Sequence, residues 1–167
     1  MSVSRDIWQS YLHPRRITRR HLARGVNESR VFVFLVVACV LIYVAQWPRL
    51  SREAHFDATI PLEGRMVAAM WAWIFVAPLI FYAIAGISYL IARIMRGQGS
   101  GLGARLALFW ALLVTVPLWL LNGVVAGFIG EGLQVNITGG LLVVAFFWIW
   151  ISSLVETQSP VRDDDNV

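Results

Sequence analysis

The chain has no lysine, a single cysteine and little charge, and each shortage narrows what it can be. Only 14% of its residues are charged and 58% are hydrophobic, with a mean hydropathy of +0.67; soluble domains are about 25% charged. One cysteine, Cys39, excludes an intramolecular disulfide and a cysteine-based zinc cluster. All 14 basic residues are arginine, which reads as the coding bias of a GC-rich bacterium. Arginine also pairs with phosphate through two parallel hydrogen bonds.

A further absence bears on function. Four runs, 31–47, 66–92, 106–130 and 132–155, contain no Asp, Glu, His, Lys or Arg. A spanning helix needs about 20 apolar residues, so the runs predict an all-α, polytopic transmembrane bundle of four spans. Five follow if the second run breaks near Gly86. Proton relays, ion-coupled carriers and voltage sensors place ionisable groups at membrane depth, and these runs have none. A serine hydrolase needs a His or Lys base beside its nucleophile, and none is available. The three histidines, His13, His21 and His55, have no metal-ligand spacing. No catalytic residue, metal ligand or cofactor site is expected, and the protein is read as a non-enzyme.

What is there begins with "HPRRITRRHLAR", five arginines in the twelve residues His13 to Arg24. Pro14 suits a first helical turn, where its missing N–H leaves nothing unpaired. At helical spacing Arg15, Arg16, Arg19, Arg20 and Arg24 share one side, and Ile17, His21 and Leu22 the other. Ile7, Trp8, Tyr11 and Leu12 form a second apolar stripe. The pattern predicts an amphipathic helix lying on anionic lipid. The alternatives are an arm that only sets topology and, more remotely, a nucleic-acid-binding arm. A secretory signal is excluded because some thirty residues precede the first apolar run. "VVAC", ending at Cys39, is like a lipobox, but apolar residues continue to Ala45, so Cys39 reads as a buried small hydrophobe.

The arginines set orientation. With both termini cytoplasmic, eleven lie inside and Arg49, Arg52 and Arg65 outside, as the positive-inside rule requires. Trp47, Trp71 and Trp73 then form an outer belt, and Trp110, Trp148 and Trp150 an inner one. The chain divides into a basic segment (1–30), a bundle (31–155) and an acidic, disordered tail (156–167). The expected location is a bacterial cytoplasmic membrane.

Within the spans, Pro78 and Pro117 predict kinks. Asn122 is either helix–helix glue or a polar gate. Gly123 and Gly127 fit the small-residue pattern for close helix approach, within the chain or between copies, with Gly139 and Gly140 as a possible facing surface. "RIMRGQGSGLGAR" lacks the Lys-Ser/Thr of a P-loop and reads as a flexible hinge. Its arginines Arg93, Arg96 and Arg105 join Arg15, Arg16, Arg19, Arg20 and Arg24 as lipid-headgroup candidates.

The stretches "WQSYLHPRR", "FVAPLIFYAIAGISYLIARIMRGQGS" and "ARLALFWALLVTVPLWLL" together resemble the bacterial branch of the Yip-one domain family, the Ypt/Rab-interacting multispanning proteins, from about Trp8 to Trp150. The resemblance implies a small helical membrane protein, usually with five spans and without catalytic residues. Eukaryotic members associate with Golgi and vesicle membranes and with prenylated Rab GTPases. Their "DLYGP" motif is absent from this sequence, so Rab binding is not implied. The expected function is a membrane-organising scaffold or adaptor that binds anionic lipid, a membrane-protein partner or a second copy of itself, and no nucleic acid. The alternative is a small-solute permeation or carrier protein without ion coupling.

Overall fold

Among its described residues, which are 7, 9–11, 14–23 (main chain only for 21–23), 25, 27–95 and 97–158, the computed structural model is helical, with no strand. After the helical residues 7 and 9–11, six helices follow in order among the described residues. They are α1 (Pro14–Ala23), α2 (Glu28–Phe56), α3 (Leu62–Ile94), α4 (Gly101–Val114), α5 (Val116–Phe128) and α6 (Leu133–Gln158). Three of them, α2, α3 and α6, are long and apolar enough to cross a membrane, and α4 with α5 makes a fourth if that bent pair is one span.

The centre of the molecule is α4. From Leu106 to Val114 every side chain is buried. A helix apolar on all sides suits a place inside the bundle, and α2, α3 and α6 surround it, with Ile7, Tyr11 and α1 packed against it as well. On α2 the inward stripe is Val31, Leu35, Ala38, Cys39, Ile42 and Ala45, spaced as 3.6 residues per turn requires. Edge-on ring contacts tie the layers together: Phe34 with Trp110 at 5.2 Å, Tyr82 with Phe109 at 5.0 Å, and Trp73 with Trp119 at 5.4 Å. The outer faces of α3 and α6 are apolar and open, for example Leu79 and Val144; hydrocarbon is the solvent such faces suit.

The helices overrun the apolar runs. Pro48 does not stop α2, which continues to Phe56. Residues 49–56 sustain it through helical i,i+4 pairs: Arg49 lies 3.6 Å from Glu53, and the Arg52 guanidinium 4.9 Å from the Phe56 ring. The break near Gly86 that five spans require is not found, because α3 passes through Gly86 uninterrupted. The expected disorder of 156–158 is likewise corrected, since α6 runs to Gln158; residues 159–167 lie outside the described residues.

Both singled-out prolines mark irregularities of different kinds. Before Pro78, the turn Trp71–Val76 widens to a π-helix, and the Ala77 N–H bonds the carbonyl of Ala72, five residues back. The wider turn accommodates a proline ring that would strike the carbonyl four residues earlier. At Pro117 the axis bends by 41° between α4 and α5. There Thr115 Oγ1 donates to the carbonyls of Ala111 and Leu112, and the N–H groups of Leu118 and Trp119 both go to Thr115 O. The Val114 carbonyl, on a buried residue, therefore loses its α-helical donor, residue 118.

Close approach sets the α2–α5 contact. A Cβ built on Gly123 would lie 1.8 Å from Ala45 O, and one on Gly127 2.4 Å from Pro48 Cβ. The surface these glycines meet is α2. Gly139 and Gly140 are not the facing pair: a Cβ on Gly139 would approach nothing nearer than Asn122 Oδ1 at 3.8 Å, and one on Gly140 would meet open space.

Candidate functional site

The residues proposed to meet lipid gather at one end of the bundle, where α1 and α6 pack together and α2 and α4 begin. The arginine helix does not rest on its apolar side against open surroundings. That side is occupied by protein: Ile17 is 2% and Thr18 1% exposed. Thr18 Oγ1 donates to Pro14 O within α1 and accepts from Ser153 Oγ on α6, both at 3.0 Å. Beside this bond Arg19 Nε and Nη2 each lie 2.8 Å from Glu156 Oε1. The result is a helix clamped along α6 with its arginine side outward: Arg15, Arg16, Arg19 and Arg20 are all exposed.

The preceding residues reach deeper. Trp110 Nε1 donates to Ser10 Oγ at 3.0 Å, both groups buried. Tyr11 Oη donates to Val114 O at 2.8 Å, the carbonyl released by the bend. At 1.5 Å per residue, Val114 lies about 20 Å along α4 from Gly101. The N-terminal arm is thus part of the core, and Trp110, expected in an interfacial belt, is a 1% exposed core residue. Trp148 of the same expected belt is open on α6. Trp8, Leu12, Arg24 and Arg96 lie outside the described residues.

The remaining arginine candidates are engaged within the chain. Arg105 forms an ion pair with Glu28 at the start of α2 and also bonds Gly101 O. Arg93 Nη1 lies 2.9 Å from Tyr89 Oη, one turn back. The glycine-rich loop is not a loose hinge. The Gln98 N–H bonds Gln158 O at 3.2 Å, and a Cβ on Gly99 would lie 2.1 Å from Thr157 O. Ser100 caps α4 by accepting from the Gly103 N–H at 3.1 Å. The glycines let the loop lie flat on the end of α6.

Between α1 and α6 is an open groove of about 920 Å³. One wall is apolar: Val143, Val144, Phe147, Trp148, Ile151 and Val155. Pro14, Arg15 and Arg16 of α1 also line it. Among the described residues no acidic one lines it.

The opposite end of the bundle is held by an ionic clasp. Arg65 Nη2 lies 2.8 Å from Asp57 Oδ2, its Nε donates to Ile60 O at 3.1 Å, and its Nη1 lies 3.5 Å from Glu53. Thr59 bonds Asp57 Oδ1 through its hydroxyl at 2.6 Å and its N–H at 3.0 Å. These two Thr59 bonds, then Arg65, hold the Asp57 carboxyl well below the usual range, at about 2. Asn122 sits between α5 and α6 and accepts a 2.7 Å bond from Thr138 Oγ1. Among the described residues no three His, Cys, Asp or Glu side chains come together as metal ligands would.

Compared with protein-family models, with curated proteins and with solved structures, the chain matches none.

Proposed function

We propose that this protein is a non-enzymatic scaffold or adaptor of a bacterial cytoplasmic membrane, of the Yip-one type. It crosses four times with both termini cytoplasmic, and its arginine-faced arm recruits anionic lipid or a membrane-protein partner. The observation that carries this reading is the docking of α1. A helix fixed through Ile17, Thr18 and Arg19 presents Arg15, Arg16 and Arg20 outward as a rigid cationic surface. Near an anionic leaflet each such arginine contributes about 1 kcal/mol of attraction. An arm that only set topology would have no need of bonds to Trp110 and Val114.

The permeation reading is less well supported. It relies on Asn122 as a mobile polar centre, yet Asn122 is bonded to Thr138, and the central helix is packed on every side. The test is reconstitution into vesicles with and without anionic lipid. The scaffold reading expects preferential association with anionic vesicles, reduced by salt, and no solute flux. Flux abolished by Asn122→Leu would support permeation instead.

A further inference from the structure

We infer that the groove between α1 and α6 is a binding site for one anionic phospholipid, its phosphate held by Arg15 and Arg16 and one acyl chain lying along α6. This rests on the lipid-recruiting reading above and narrows it from a charged surface to a single stoichiometric site.

The groove matches a phospholipid in both shape and charge. Its wall from Val143 to Val155 spans about 18 Å at 1.5 Å per residue, comparable with one leaflet of a hydrocarbon core about 30 Å thick. That wall is aliphatic and aromatic throughout apart from Ser152, and Val144 and Trp148 are 68% and 60% exposed. Both cations line the groove together with Ser152 and Val155, and the helix that carries them is bonded to α6 at Ser153 and Glu156. Ser153 and Glu156 lie five and two positions from the last residue of α6, which anchors the arginine helix within about 8 Å of the helix end. This is the level of headgroups if the end of α6 marks the membrane surface.

Neither Arg15 nor Arg16 has an ion-pair partner among the described residues, whereas Arg19 and Arg105 on the same end both do. Two guanidinium groups line a largely apolar groove that, among the described residues, has no carboxylate in its lining. A zwitterionic lipid would bring an ammonium group beside those guanidinium groups, so the site discriminates by headgroup charge.

The test is native mass spectrometry of the full chain after incubation with phosphatidylglycerol or with phosphatidylcholine of the same acyl chains. One phosphatidylglycerol per chain is expected to survive detergent removal, with retention about ten-fold above phosphatidylcholine. Arg15→Gln with Arg16→Gln removes that preference. Val144→Trp with Ile151→Trp, which fills an exposed wall and leaves the arginines intact, also lowers retention about ten-fold. Arg30→Gln with Arg49→Gln leaves it unchanged. Inorganic phosphate does not displace the lipid, because the acyl chain contributes to holding it.

Retention lowered equally by the Arg30/Arg49 pair overturns the site while leaving a diffuse anionic surface intact. Equal retention of both lipids by the wild-type chain overturns the site and the lipid-recruiting reading together. A dimer mass that carries no phosphatidylglycerol, and that Val144→Trp with Ile151→Trp abolishes, shows that a second copy fills the groove and also overturns it.

Discussion

The hydroxyl of Tyr11 lies 2.8 Å from the main-chain oxygen of Val114, and it supplies the hydrogen bond that the bend before Pro117 takes away. The two residues are 103 positions apart. A backbone carbonyl in an apolar interior must find a donor, so the irregularity of the central helix and the docking of the arm are one feature. Tyr11→Phe should lower stability by about 1 kcal/mol and expose residues near the arm to protease. Ser10→Ala, which removes the hydroxyl that Trp110 Nε1 bonds, should act in the same direction. The double variant should differ from the sum of the two, because both bonds anchor one segment. Proteolysis of the purified chain over a denaturant series checks this.

Gly123→Ala should be more damaging than any exposed substitution on α6. Its new methyl group would enter the space of Ala45 O, and overpacking at such contacts costs about 1–3 kcal/mol or more. Gly140→Ala meets open space and should leave stability within about 0.5 kcal/mol. Thermal unfolding of the two variants in the same detergent separates them.

The clasp at the end opposite α1 should resist acid. Asp57 titrates near 2 in the folded chain, below the ordinary aspartate value of about 3.9. A depressed carboxylate contributes its stability above the unfolded value and loses it as pH falls through the folded one. The turn should hold at pH 5 and loosen between about pH 4 and pH 2. Thr59→Ala, which removes the largest cause of the shift, should move the midpoint upward. Hydrogen exchange at the Thr59 N–H in the wild-type chain follows the opening, and a carboxyl titration of Asp57 reads the midpoint in both chains.

Asn122 and Thr138 should behave as a coupled pair. Asn122→Leu and Thr138→Val each remove one half of a bond worth about 0.6 kcal/mol in a membrane interior. If the side chains serve packing, the double variant is little worse than either single one. Unfolding of the three variants tests this, and solute flux in vesicles should be unaffected by all of them.

Much of the fold was legible because apolar periodicity is a local signal. The stripe Val31, Leu35, Ala38 and Ile42 marks the inner face of α2, and Pro117 marks the bend. The continuation of α2 beyond the apolar run 31–47 was not legible, because the pairs that carry the helix onward, Arg49 with Glu53 and Arg52 over Phe56, become decisive only once the helix exists. The arm was read as two-faced, but its covering was not foreseen. Ser10, Tyr11 and Thr18 are ordinary polar residues whose partners lie a hundred or more positions away. One available signal was the proline itself: a kink inside an apolar run leaves carbonyls that need donors, and a nearby tyrosine is a candidate. The groove could not be read from periodicity, since it arises only where α1 and α6 meet.

The most direct measurement is the composition of what co-purifies with the full chain from native membranes under mild extraction. The account predicts anionic phospholipid enriched over the bulk membrane, lost when Arg15 and Arg16 are replaced by glutamine, with or without a stoichiometric protein partner. Lipid of bulk composition and no bound protein would contradict it.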